Sequence, residues 1–171
     1  MRKYQCDYNL KDKQYFLIKD YFDTYSSDDE LIDRNLFQNH LIKYSEKARI
    51  ELKANENDIK NSLEVIDSDS NYFIDFNEFL DFLTLFFASK PNLKDKIISV
   101  LNGHQYSHSS AGYLNIDEAK SNFEFLAKFY NIKNENKNDF FTINQEEFIS
   151  YSDFADLVYP YLEPYLYVKF Y

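Results

Sequence analysis

The chain has 171 residues and a formal net charge of -10, with its lysines scattered among acids, so it lacks the basic stripe of a nucleic-acid binder and favours cations or basic partners. Two glycines and three prolines leave few means of making the tight turns of an all-β protein, whereas 44% hydrophobic and 19% aromatic residues give ample material for a helical core. Cys6 is the only cysteine, which excludes an internal disulfide and fits a reducing, cytoplasmic setting.

Residues 1–10 are polar and contain no apolar signal-peptide core. The longest apolar stretch, 79–88, is broken by Asp81 and Thr84 and falls far short of the roughly 20 residues a spanning helix needs, so no membrane span is expected. Apolar periodicity predicts helices over 10–22 and 33–44. Between them Ser26, Asp28 and Glu30 offer oxygens ahead of Ile32 and Asp33, but Leu36 stands where a closing carboxylate is needed, and no metal is expected there. A third helix, over 57–66, aligns Ile59, Leu63 and Ile66 on one face.

The next segment carries the strongest signal: Asp67, Asp69, Asn71, Phe73 and Asp75 follow one another at alternate positions, and the run ends on Glu78. Calcium takes about 6–8 oxygens at about 2.3–2.6 Å, and side chains at positions one, three and five of a tight loop converge on one point. Phe73 contributes its carbonyl at position seven, Asp75 acts through water at position nine, and Glu78 closes the shell with both carboxylate oxygens. The leaving helix, over 76–88, carries Phe79, Phe82, Leu83 and Phe86 on one face, with Phe87 alongside. So much apolar surface predicts that a partner protein or the chain's own end covers it.

An aliphatic residue followed by Asp or Asn recurs along the chain, at Ile32-Asp33, Ile74-Asp75, Leu114-Asn115 and Ile143-Asn144. The four aliphatic residues are 42, 40 and 29 positions apart, and in three of the units a Glu three residues after the Asp or Asn (Glu78, Glu118, Glu147) completes a capping box that starts a helix. With this loop and this repeat, the segment 57–88 resembles an EF-hand, and the four-unit plan is similar to the calmodulin, centrin and calcineurin-B group. The resemblance implies an all-helical fold of helix-loop-helix pairs in two lobes, with short β contacts between paired loops. It also implies one calcium ion, with magnesium as the alternative, held by Asp67, Asp69, Asn71, Phe73, Asp75 and Glu78. One departure stands out: Tyr72 occupies the sixth loop position, where the family has Gly for a positive φ, and this lowers the expected affinity.

Further helices are predicted over 93–101, 115–130 and 144–158. Between the first two, His104 and His108 sit in a serine-rich loop without a third metal ligand, and Glu118 alone holds no ion. Asn136, Asn138 and Asp139 precede the fourth unit, but Phe140 and Phe141 interrupt the ligand pattern. The chain thus divides into an N-terminal pair of hands over 1–90, an irregular second lobe over 91–158 and an aromatic tail over 159–171. Two prolines, Pro160 and Pro164, argue against a helical tail. Its Tyr165, Tyr167 and Phe170 either fold back into a groove between the hands, dock on another protein as an extended or added strand, or pack in the second lobe. No catalytic triad or phosphate-binding loop is present, so no enzyme is expected. Two functions follow: a calcium-binding protein that offers a partner the groove of Phe79, Phe82, Leu83, Phe86 and Phe87, or a non-switching structural subunit of a cytoskeletal or ciliary assembly.

Overall fold

The computed structural model describes residue 8 and residues 10–48, 50–67, 69–103, 112–133 and 148–169. Seven α-helices lie among the described residues: α1 Asp12–Tyr25, α2 Arg34–Lys47, α3 Glu56–Ile66, α4 Phe76–Phe86, α5 Leu93–Gly103, α6 Ile116–Phe129 and α7 Tyr151–Leu162. Short strands punctuate them: β1 Ile32–Asp33, β2 Glu51–Leu52, β3 Phe73–Ile74, β4 Tyr113–Asn115, β5 Phe148–Ser150 and β6 Val168–Lys169. The fold is therefore mostly helical with small antiparallel sheets, and no described helix is long and apolar enough to cross a membrane.

Local chemistry sets the helix starts. Asn55, Asp75 and Asn115 each cap a helix by accepting the backbone N–H of the residue three positions on, as Asp33 does for Leu36. Capping boxes close over Asn55 with Asp58 and over Asp75 with Glu78.

Three two-stranded ladders join distant segments. In the first, Ile32 pairs with Ile74; in the second, Leu114 pairs with Ile149. All four are buried. One further backbone hydrogen bond recurs in both, from Arg34 N–H to the Tyr72 carbonyl (3.2 Å) and from Tyr151 N–H to the Gly112 carbonyl (3.0 Å). The third ladder sets Leu52 opposite Val168 and Glu51 opposite Lys169, with Lys53 N–H donating to the Tyr167 carbonyl at 2.7 Å.

The residue that pairs with Leu114 is Ile149, and a helix starts at Tyr151 behind Ser150, whose hydroxyl accepts the Asp153 N–H. Residues 148–150, expected inside a helix, form the strand that pairs with β4, because pairing Ile149 with Leu114 buries both. The Ile143 unit with Glu147, and Asn136, Asn138, Asp139, Phe140 and Phe141, lie outside the described residues. Helix α7 continues past Pro160, close to its end, and stops at Leu162; a 3-10 turn over Glu163–Tyr165 contains Pro164. Pro160 cannot donate to the Asp156 carbonyl four residues back, so α7 forfeits one helical hydrogen bond there.

Helix α4 is the axis of the core, buried around most of its circumference at Phe79, Leu80, Asp81, Phe82, Leu85 and Phe86. Phe76 meets Phe22 of α1, Phe79 meets Phe37 of α2, and Phe82 meets Phe129 of α6, mostly edge to face at 5.2–5.7 Å. Helix α3 lies on α6, where Asn61 donates to the Lys128 carbonyl at 2.8 Å. The buried Asp81 carboxylate accepts the hydroxyl of Tyr8, and a side chain at Gly103 would collide with the same tyrosine.

The described part of the tail folds back. Leu166, Tyr167 and Val168 are buried, and the Tyr167 hydroxyl donates to the Phe129 carbonyl while lying 3.2 Å from Ser62 Oγ of α3. Its ring packs on Phe86, Phe129 and Tyr130. Tyr165 is exposed, and Phe170 lies outside the described residues.

Candidate metal centre

Asp67 follows the last residue of α3 and its side chain is fully buried. It gathers the loop around itself. Tyr72 N–H donates to Oδ2 at 2.8 Å, Asn71 N–H to Oδ1 at 3.3 Å, and Ser70 N–H to the Asp67 carbonyl at 3.1 Å. Asn71 then braces both sides of the turn, donating from its amide to Asp69 Oδ2 (3.1 Å) and accepting the Phe73 N–H (2.9 Å). So tight a turn needs left-handed backbone, at Ser70 (φ 54) and Tyr72 (φ 67). The cost for a non-glycine residue is about 1–2 kcal/mol.

The loop conformation has counterparts. Tyr72 lies two residues before Ile74; Glu30 (φ 60) lies two before Ile32, and Gly112 (φ 85) two before Leu114. The positive φ expected at the sixth position is present, and Tyr72 adopts it with its ring largely in solvent.

Carboxylate oxygens of Asp67, Asp69 and Glu78 all lie within 4.8 Å of one another. Asp67 is buried, Glu78 is 9% exposed, and Asp69 is open to solvent, so an ion would have a walled inner side and a wet outer side. An all-oxygen set of this kind suits a hard cation such as calcium or magnesium and not a thiophilic one. The remaining expected ligands stand nearby in other roles. Asp75 caps α4 by accepting the Glu78 N–H at 2.8 Å, Glu78 Oε2 accepts the Asp75 N–H in return, and Asn71 Oδ1 faces the Phe73 amide. Phe73 itself pairs with Asp33 across the β1–β3 ladder.

One cation already stands beside the loop. Arg34, the first residue of α2, places Nη1 3.3 Å from Asp67 Oδ2 and its guanidinium 4.6 Å from the centre of the Tyr72 ring. Burial pushes the Asp67 carboxyl above its usual value and the hydrogen bond shared with Asp69 adds to this, while the Tyr72 and Asn71 amides and Arg34 pull it down. Sequence reasoning passed over Arg34. Its signal was a cation in the first turn of a helix, where the macrodipole disfavours positive charge by about 0.3–1 kcal/mol.

The apolar residues expected to meet a partner are placed differently from one another. Phe79, Phe82, Phe86 and Tyr167 are buried in the core, Leu83 and Phe87 are half-buried against it, and Tyr165 is exposed. The groove along α4 is filled by α1, α2, α6 and the tail.

In the first loop Ser26 caps the end of α1 through its backbone, Glu30 is the left-handed residue and Leu36 is capped by Asp33, so no carboxylate takes the place of Glu78. In the third, Glu118 Oε1 accepts from Asn115 Nδ2 (2.7 Å), whereas Oε2 is buried without a hydrogen-bond partner among the described residues. His104 and His108 lie outside the described residues. No family model, curated protein or solved structure matches the chain, so its function has to be inferred from its own residues.

Proposed function

We propose that the chain binds one divalent cation, calcium by preference, in the 67–78 loop, in the manner of an EF-hand. The observation that carries this is the convergence of Asp67, Asp69 and Glu78 in a loop turned by a left-handed residue and braced by the Ile32–Ile74 pair. Recurrence of the same ladder at Leu114 and Ile149, with the same positive φ at Gly112 two residues before Leu114, supports a plan of two paired helix-loop-helix hands. Asp67, Asp69, Asn71 and the Phe73 carbonyl would hold the ion from the loop, and Glu78 from the first turn of α4. The ion supplies positive charge that offsets the crowding of these carboxylates.

Drawing Glu78 toward Asp67 turns α4 relative to α3, and α4 bears the aromatic face of Phe79, Phe82 and Phe86. In this reading a protein partner, as a helical or extended segment, would engage that face after the tail leaves it. A second reading, a non-switching structural subunit, is favoured by the placement of Tyr167, which ties the tail to α3 and α6.

Calorimetric titration of the full chain separates the two. A single site with a dissociation constant of about 10–100 μM, lost in Glu78→Gln, is the expected result. Absence of heat at millimolar calcium removes the metal reading and leaves the scaffold.

A further inference from the structure

The position of Arg34 does not follow from helix formation: its charge opposes the α2 macrodipole, and its stem spans from one loop to the other. Three contacts fix it there. Its backbone N–H donates to the Tyr72 carbonyl (3.2 Å), its guanidinium lies over the Tyr72 ring (4.6 Å), and Nη1 meets Asp67 Oδ2 (3.3 Å). The Asp67 side chain is wholly buried and that of Arg34 is 13% exposed, so solvent screens this pair poorly. Tyr72 has two effects here: it takes the left-handed turn that glycine would take more easily, and it supplies the flat surface that orients the guanidinium.

We propose that Arg34 is a built-in cation of the 67–78 loop, which competes with a divalent ion for the Asp67 carboxylate and thereby sets the affinity of the site. The inference rests on the metal reading above and adds its regulator. With its guanidinium on Oδ2, Asp67 is already partly neutralised, and a second positive charge entering between Asp67, Asp69 and Glu78 meets repulsion at short range. Occupation of the loop therefore requires Arg34 to give up Asp67 or to share it. Because Arg34 belongs to the first loop region and Asp67 to the second, the competition also links metal binding to the β1–β3 ladder between them.

The test is calcium titration by calorimetry of the full chain at constant ionic strength, comparing the unaltered protein with R34Q and R34K, together with thermal unfolding in chelator and in calcium. R34Q is expected to bind calcium about tenfold more tightly, equivalent to about 1.4 kcal/mol, and to melt lower than the unaltered protein in chelator, where the buried Asp67 has lost its partner. The added mutation D67N should remove the gain in affinity. R34K, which keeps the charge without the planar face that stacks on Tyr72, should lie between the two; should R34Q fail to fold in chelator, R34K alone decides. Equal or weaker binding in a folded Arg34 variant, with the unaltered protein binding normally, overturns the inference and leaves the metal site standing. No binding to any of them at millimolar calcium overturns the metal reading itself and this inference with it.

Discussion

At the residue scale, the left-handed positions carry most of the information. Tyr72 was marked by its sequence as the departure from a glycine position, and the backbone there does take φ 67. Glu30 was read as an oxygen donor because a carboxylate in a polar loop suggests a ligand, whereas its geometric role is to turn the chain two residues before Ile32. This predicts that Glu30→Gly stabilises the protein. Relief of left-handed strain, less the extra flexibility of glycine in the unfolded chain, leaves a net gain of about 0.5–1 kcal/mol. Thermal unfolding should shift upward by about 1–4 °C. An unchanged or lower Tm would mean that the exposed Glu30 side chain contributes more than its backbone costs. Arg34 was illegible for a different reason: its target, Asp67, is distant in sequence, and only the register of Ile32 on Ile74 brings the two together.

At the scale of elements, helix positions were legible wherever a cap and an apolar period agreed. The segment expected over 57–66 is observed as Glu56–Ile66, and the one expected over 76–88 as Phe76–Phe86. The second ladder was not legible because Asn144 and Glu147 spell a better capping box than Ser150 and Asp153 do, and only the pairing of Ile149 with Leu114 marks 148–150 as a strand. The Tyr167 hydroxyl bridges α3 and α6, and the Tyr130 hydroxyl donates to the Leu85 carbonyl of α4, links that the sequence cannot place. Burial pushes Tyr167 up to about 12 and Tyr130 higher still, from an ordinary value of 10.0. The folded protein then keeps protons that the unfolded chain releases above pH 10, so the contribution of these residues is intact below pH 10 and is lost as pH rises toward 12. Urea unfolding between pH 9 and pH 11.5 should show stability falling by up to about 1.4 kcal/mol per pH unit for each such tyrosine. Tyr167→Phe should flatten that slope by one residue's share, while costing about 0.5–1.5 kcal/mol at neutral pH. A slope identical in the two proteins would contradict the burial of Tyr167.

Across the whole molecule, composition alone pointed to a helical, aromatic-rich core, because little else can be built from so many Phe and Tyr and so few turn residues. The tail was less legible. Its prolines argued against a helix, although α7 runs through Pro160 to Leu162, and the sequence left its destination open between this chain and another; the structure pairs Val168 with Leu52 and seats Tyr167 among α3, α4 and α6. That seat has a dynamic consequence. The amide of Lys53 is bonded to the Tyr167 carbonyl, a link between positions more than a hundred residues apart, and no helix protects it. Its exchange with deuterated solvent should therefore follow excursions of the tail at free energies well below global unfolding, while amides in the middle of α4 wait for the core to open. A mass-spectrometric exchange profile in which the peptide around Lys53 labels as slowly as that of α4 would show that the tail leaves only when everything else does.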